Sequence, residues 1–293
     1  MPTIKPMLAV KAGIENIQPG DLISPKLDGI RGINLDGQIL SRSLKPIPNR
    51  HIQAEWNHKE LAGIDGEFIL GDPTAADVYR ATNSALMRHE GTPQATLYAF
   101  DDFTVPRLPY KNRYEVLQGR VEHLRGKGFD IVLLDQRPAG TNAEQIEEEV
   151  LAQGYEGIIA RDPTQPYKFG RSTLRERKLL KVKRFSDSEA TVVGAFELMV
   201  NQNDPMINEL GYQARSSAKD GLVAAGMLGA LEVIDNVTGV RFNIGTGYSR
   251  DQRERFWAER ERLPGKVVTY THFTVGVKDK PRFPSFKGFR NGA

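Results

Sequence analysis

The chain has 293 residues, enough for one large domain or two ordinary ones, and a 39% hydrophobic content that supports a packed core and argues against bulk disorder. It has no cysteine, which excludes disulfides, zinc–thiolate sites and cysteine nucleophiles. The net charge of +3 does not by itself announce a nucleic-acid partner; with no basic-then-apolar leader and no apolar run of membrane-spanning length, the expectation is a soluble cytoplasmic protein with no membrane association.

Leu22 and Ile23 lead into Lys26-Leu27-Asp28-Gly29-Ile30-Arg31, which places Lys26 at a strand end rather than on a helix face. A lysine amine is a strong nucleophile when unprotonated, and nearby cations favour that form. The same residues also suit an ordinary solvated turn, so this stretch alone leaves both readings open. Ile33 and Leu35 alternate into the turn Asp36-Gly37, and Ile39 and Leu40 return, so the spacing predicts a hairpin that carries Arg42 back toward Lys26. Residues 65–70 and 95–103 read as strands. Asp65 and Glu67 fall on one face, where they could be a simple surface pair; Phe100 could be ordinary core.

Tyr114, Leu117, Val121 and Leu124 recur at helical spacing until Gly126 and Gly128. Thr141 with Glu144 reads as a capping box ahead of Ile146, Val150 and Leu151, with Gly154 as the stop. His51 and His58 could share a helix face, but five scattered histidines do not predict a metal site. There is no βαβ rhythm and no G-x-x-x-x-G-K-[ST] loop, so this part is an α+β domain, and a nucleoside triphosphate would be bound without a P-loop.

Between residues 171 and 184 stand Arg171, Arg175, Arg177, Lys178, Lys181, Lys183 and Arg184 against the single acid Glu176, and the tail adds Lys278, Lys280, Arg282, Lys287 and Arg290. These are two patches able to meet a phosphate backbone. Lys181 and Lys183 alternate with Leu180 and Val182 and so share one strand face. Beyond Phe185 the pattern changes. Residues 190–196, 228–234, 240–244 and 266–273 read as strands, with one helix capped by Ser249 and Gln252 and carrying Phe256 and Trp257, which fits an OB-type barrel. The expected domains are 1–185 and 186–293. Residues 201–226 are polar and weakly periodic, a long loop expected to be functional or disordered.

Taken together, Lys26-Leu27-Asp28-Gly29, Ser41-Arg42-Ser43, Asp65-Gly66-Glu67-Phe68, Tyr98-Ala99-Phe100-Asp101, Glu156-Gly157-Ile158-Ile159 and Leu180-Lys181-Val182-Lys183 form an ordered set. It resembles the motifs of the covalent nucleotidyltransferase superfamily of DNA ligases, RNA ligases and messenger RNA capping enzymes. Gly245-Thr246-Gly247-Tyr248-Ser249, Pro281-Arg282-Phe283-Pro284-Ser285-Phe286 and Tyr167-Lys168-Phe169-Gly170-Arg171-Ser172-Thr173 resemble small viral ATP-dependent DNA ligases. The resemblance spans nearly the whole chain and includes no accessory DNA-binding, BRCT-like or zinc domain.

This resemblance implies an α+β nucleotidyltransferase (adenylation) domain of antiparallel sheets with flanking helices, followed by an all-β OB-fold domain. It implies ATP as cosubstrate, Mg2+ or Mn2+ as cofactor, and a monomer acting on nicked double-stranded DNA. Lys26 would take AMP from ATP, pass it to the 5′-phosphate of a nick, and the 3′-hydroxyl would then displace it. By the same likeness Arg31 and Glu67 would hold the ribose, Phe100 would stack on adenine, and Lys181 and Lys183 would lie near the α-phosphate. Glu156 would be a metal-site acid, Arg42 and Arg171 would contact phosphate or the nick, and Arg282 would help position pyrophosphate on barrel closure. Pro25 lacks an N–H to offer a base, so ATP over GTP follows from the ligase-like second domain. An RNA ligase or GTP-dependent capping-type enzyme, and a non-enzymatic OB-type nucleic-acid-binding protein, are the alternatives.

Overall fold

The computed structural model describes residues 4–273 and 280–290. The chain divides into two compact units, Met1–Lys183 and Arg184–Ala293.

The first unit contains, in order, β1 (Val10–Lys11), β2 (Leu22–Pro25), β3 (Ile30–Leu35), β4 (Gln38–Leu40), α1 (Arg50–Trp56), β5 (Ile64–Leu70), α2 (Val78–Leu86) and β6 (Ala95–Asp102). It continues with α3 (Tyr110–Gly126), β7 (Ile131–Leu133), β8 (Arg137–Pro138), α4 (Ala143–Ala152), β9 (Ile158–Arg161) and β10 (Leu180–Val182). Two five-stranded sheets result, ordered β4-β3-β5-β6-β7 and β1-β10-β9-β2-β8. The β3–β4 hairpin forms as the spacing predicts, with Asp36 and Gly37 both at positive φ, the geometry a two-residue turn needs to match strand twist.

The sheets are mainly antiparallel as expected, with β6–β7 and β1–β10 pairing in parallel. In the first case α3 supplies the crossover that a parallel neighbour requires. Helix α4 is capped at Asn142, not Thr141, and has no side-chain cap; the Thr141 hydroxyl donates instead to Asn142 Oδ1 at 3.1 Å. His51 lies on α1, where it faces Glu55 at 3.4 Å, but His58 lies past the end of that helix and caps the short turn that follows.

Helices α1 and α3 cover one face of the first sheet. Trp56, Phe68, Leu86, Leu97, Leu117, Val121, Leu124 and Ile131 are buried together there, and Trp56 meets Phe68 edge to face at 5.0 Å. Helix α4 covers the second sheet through Ile146 and Val150, against Ile23, Ile158, Leu180 and Val182. A smaller cluster of Leu27, Ile69, Val78 and Leu134 packs with Tyr98 and Phe100. Both sheets are thus fixed on their helix-covered sides by apolar burial.

The second unit contains β11 (Ser186–Asn201), β12 (Pro205–Ile207), β13 (Gln213–Arg215), β14 (Leu222–Asp235), β15 (Arg241–Ile244), α5 (Arg250–Ala258), β16 (Val267–Phe273) and β17 (Arg282–Phe289). Its sheet order is β15-β14-β11-β16-β17. A bridge between Thr246 and Ser285 joins the two ends of that order, with Phe286 N–H donating to Thr246 O at 2.9 Å. This closes the sheet into the OB-type barrel. The Gly245-Thr246-Gly247 turn makes that closure: a side chain on Gly247 would sit 2.3 Å from Phe286 O. Val192, Leu231, Val233, Phe242, Ile244, Phe256, Val268, Tyr270 and Phe286 fill the interior. The capping box of α5 forms as expected, Ser249 Oγ accepting from Gln252 N–H at 3.1 Å and Gln252 Oε1 from Ser249 N–H at 2.8 Å.

Residues 201–226 are not a structureless loop. Strands β11 and β14 stay paired as far as Asn201 and Leu222, and β12–β13 make a second small hairpin at their tip. Side chains are exposed on this arm with no buried face, among them Phe196, Met199, Met206, Ile207 and Tyr212. A strand with no core to face carries no alternating pattern, which is why periodicity did not reveal it.

Candidate active site

Lys26 immediately follows β2, and its backbone N–H donates to Gly157 O at 2.8 Å, tying the Lys26 loop to the residue after Glu156. Two glycines permit this approach. A Cβ on Gly29 would lie 2.1 Å from Phe68 O, and one on Gly157 would lie 2.3 Å from Val182 O. Lys26 Nζ pairs with Glu156 Oε2 and also donates to Leu27 O at 3.2 Å, while Lys183 Nζ pairs with Glu156 Oε1. One buried carboxylate is therefore shared by two ammonium groups from distant parts of the sequence.

Arg31 stands directly opposite Glu67 in the β3–β5 pairing, yet its guanidinium is held by Asp65, with Nε–Oδ1 and Nη2–Oδ2 distances both 2.6 Å. Nη2 also donates to Met7 O at 3.1 Å, and the Tyr167 hydroxyl donates to Asp65 Oδ2 at 2.8 Å. Burial works against the Arg31 charge, but the Asp65 carboxylate outweighs it and raises the pKa above the ordinary arginine value. Asp65 is wholly buried, so the expected possibility of a simple surface pair with Glu67 is corrected. Burial also raises the pKa of Glu67, opposed by Lys26, Arg31 and the Gly29 N–H at 3.3 Å.

Phe100 is half-buried on β6. The Arg31 and Arg161 guanidinium carbons lie 5.0 and 5.3 Å from its ring centroid. Beneath it Asp101 is fully buried between Arg113 (2.8 and 3.1 Å) and Arg161 (2.6 Å), and the Tyr110 hydroxyl donates to Phe100 O at 3.0 Å. The sequence reading missed Asp65, Asp101, Arg113, Arg161 and Tyr167 as members of this network. The available signal was a lone charge, Arg161, closing the otherwise apolar run Ile158-Ile159-Ala160.

The expected cations also converge in the first unit. Burial lowers the pKa of Lys181, and so does the positive charge of Lys26, Arg171, Arg42 and Lys11. Arg42 is lowered likewise by burial, Arg171 and Arg31. Arg171 is exposed, and its Nη1 donates to Ala9 O at 2.9 Å. The basic run is otherwise less uniform than its composition implied. Arg177 is committed to the buried Asp21, and Glu176 is taken up by Lys168. In the tail, Lys287 pairs with Asp187 at 2.7 Å and Arg290 with Glu189 at 2.8 Å, while Lys278 lies outside the described residues. Arg282 opens β17 in the second unit, its guanidinium 5.2 Å from the Phe283 ring centroid.

Among the described residues no group of three or more His, Asp or Glu side chains is arranged to hold a metal by itself. A Mg2+ carried largely by substrate phosphates would have to draw on carboxylates that already face ammonium groups, Glu156 between Lys26 and Lys183 first among them. Such an ion needs only one or two protein carboxylates, and Glu156 and Glu67 both interact with Lys26. No helix among the described residues is long and apolar enough to cross a membrane.

A lysine presented at a strand end among carboxylates and cations, in an adenylation domain followed by an OB-fold domain, defines the class of covalent nucleotidyltransferases. Family comparison narrows it. Residues 4–183 match the ATP dependent DNA ligase domain and residues 223–290 the DNA ligase OB-like domain. Comparison with the curated proteins gives no match. Among solved structures, the Chlorella virus DNA ligase-adenylate is 34% identical, with 98% of this chain and 99% of that one covered and a TM-score of 0.55. A Lig E DNA ligase described as binding DNA with a minimal scaffold is 28% identical, with the same coverage and a TM-score of 0.73. The bacteriophage T7 ATP-dependent DNA ligase in complex with ATP shares the fold at 16% identity, with 98% of each chain covered and a TM-score of 0.50. The chain belongs to the ATP-dependent DNA ligase family, and ATP is its nucleotide substrate.

Proposed function

We propose that this ligase works through an AMP group carried on Lys26, and that it seals nicks with 5′-phosphate and 3′-hydroxyl ends in duplex DNA. The observation that supports this is the convergence of Lys26, Glu67, Glu156, Lys181 and Lys183, drawn from four separate motifs, around one amine.

In the first step the Lys26 amine, having lost its proton, forms an N–P bond with the α-phosphorus of ATP, and the bond to the leaving pyrophosphate breaks. A 5′-phosphate oxygen of the nick then displaces the amine from phosphorus, giving a DNA-adenylate. Finally the 3′-hydroxyl attacks the 5′-phosphate, its proton departs, and AMP leaves. Each transition state gathers charge on phosphoryl oxygens, so preplaced cations supply most of the stabilisation. Lys181 lies among like charges and is poised for the α-phosphate. Lys183 and Glu156 hold the Lys26 amine in place. Arg31, fixed by Asp65, and Glu67 offer a donor and an acceptor for the ribose hydroxyls. Phe100 offers a π-face to the purine, and Arg282 supplies a cation for pyrophosphate. Mg2+, held by Glu156 with the phosphates, would neutralise phosphate charge.

For the DNA, the exposed guanidinium of Arg171 and that of Arg42 suit phosphates flanking the nick, and the β12–β13 arm suits the duplex. The protein is read as acting as a monomer. The test is incubation with labelled ATP and Mg2+, with GTP and NAD in parallel. Label should remain on the protein from ATP alone and be lost in Lys26→Ala. Label retained by Lys26→Ala would sink the proposal.

A further inference from the structure

Lys11 belongs to none of the motifs and to no role assigned above, yet its backbone is pinned beside the site. The segment Met7–Ala12 lies along the site, bonded residue by residue. Met7 N–H donates to the Tyr167 hydroxyl at 3.0 Å, and Leu8 N–H to Gly170 O at 2.9 Å. Ala9 O accepts from Arg171, Val10 N–H donates to Leu179 O at 3.1 Å, and Ala12 N–H to Lys181 O at 3.0 Å. The last two bonds bracket Lys11 and set it in register with Lys181 across the parallel β1–β10 pair. In a parallel ladder, residues in register project from the same face. Lys11 is exposed, and its charge acts on Lys181 together with Lys26, Arg42 and Arg171. The like charges gathered around Lys181 work against its own charge, an arrangement that a polyanion relieves on binding.

We propose that Lys11 is a phosphate-binding residue of this site, extending the row of Lys181 and Arg171 by one contact. The inference rests on reading this face as the nucleotidyl-transfer site. Phosphate could come from the triphosphate tail of ATP or from the backbone of nicked DNA, and the two sources separate experimentally.

Self-adenylylation by ATP, and single-turnover sealing of a nick by the pre-adenylylated enzyme, are measured for wild type, Lys11→Gln and Lys11→Arg, with thermal midpoints for all three. If the phosphate is that of DNA, Lys11→Gln seals sub-saturating nicks about tenfold more slowly. The salt dependence of nick binding then falls by about one ion, and self-adenylylation is untouched. If it is that of ATP, the KM for ATP rises about tenfold and sealing by the pre-adenylylated enzyme is untouched. In either case Lys11→Arg restores most of the loss. Lys11→Gln matching wild type in both assays overturns the inference, as does a loss that tracks a lowered midpoint and is not restored by arginine. Failure of the underlying site reading shows itself separately, as wild-type protein that takes up no AMP on Lys26.

Discussion

Asp65 and Arg31 meet diagonally across β3 and β5 with two hydrogen bonds of 2.6 Å, the carboxylate wholly buried and the guanidinium nearly so. This pair sets the direction of the Arg31 fork, with Tyr167 closing the other side of the carboxylate. Removing one partner of a buried pair leaves the other charge uncompensated. Asp65→Ala should therefore destabilise the first unit by about 3–5 kcal/mol, measured by urea unfolding. It should also raise the KM for ATP. Unchanged stability would mean that the pair contributes nothing to the fold.

Glu67 gives a pH prediction. Burial raises its pKa, so the ionised acceptor forms at higher pH than in an ordinary glutamate. The acid limb of kcat/KM for ATP should lie above the usual glutamate value of about 4.3, with activity rising as pH rises, and Glu67→Gln should remove that limb along with most of the activity. The stability effect has the opposite sense. A carboxyl whose folded pKa is raised favours the native state most below its unfolded pKa, and that advantage is lost as pH rises through the folded value. Glu67→Gln should accordingly be neutral or stabilising at pH 8, by thermal melt.

Lys181 lies on the other side of the same trade. Burial and four neighbouring cations lower its pKa, so its charge works against folding at neutral pH and the strain eases as pH rises toward the ordinary lysine range. Lys181→Gln should raise the thermal midpoint by about 1–3 °C while cutting self-adenylylation by about a hundredfold or more. A lowered midpoint would show that Lys181 supports the fold.

The β12–β13 arm makes a separable test of DNA binding. Replacing residues 203–219 with a short glycine turn should leave self-adenylylation unchanged, because no site residue lies on the arm. Nick affinity should fall about tenfold or more, measured by fluorescence anisotropy. Equal affinity for nicked DNA would remove the arm from the interface.

What could be read ahead of the structure divides along physical lines. The β3–β4 hairpin, α3 and α5 were legible because their signals are local: a turn dipeptide, a 3.6-residue period and a reciprocal cap. Thr141 misled because a capping pattern competes with its neighbour, and Asn142 took the position. The β11–β14 arm was illegible because backbone pairing without a buried face writes no period into the side chains.

The amino-acid sequence by itself determined the chemical inventory and the order of motifs: a lysine before Asp-Gly, paired carboxylates, paired lysines and a barrel to follow. Residue types and short spacings carry that information directly. Only the tertiary structure decided which charges meet. It gave Arg31 to Asp65, set Lys26 and Lys183 on one buried glutamate, committed Arg177 to Asp21, and brought Lys11 alongside Lys181. Those pairings join strands distant in sequence, and ion pairs are selected by sheet register and by the cost of burying a charge alone, neither of which is local.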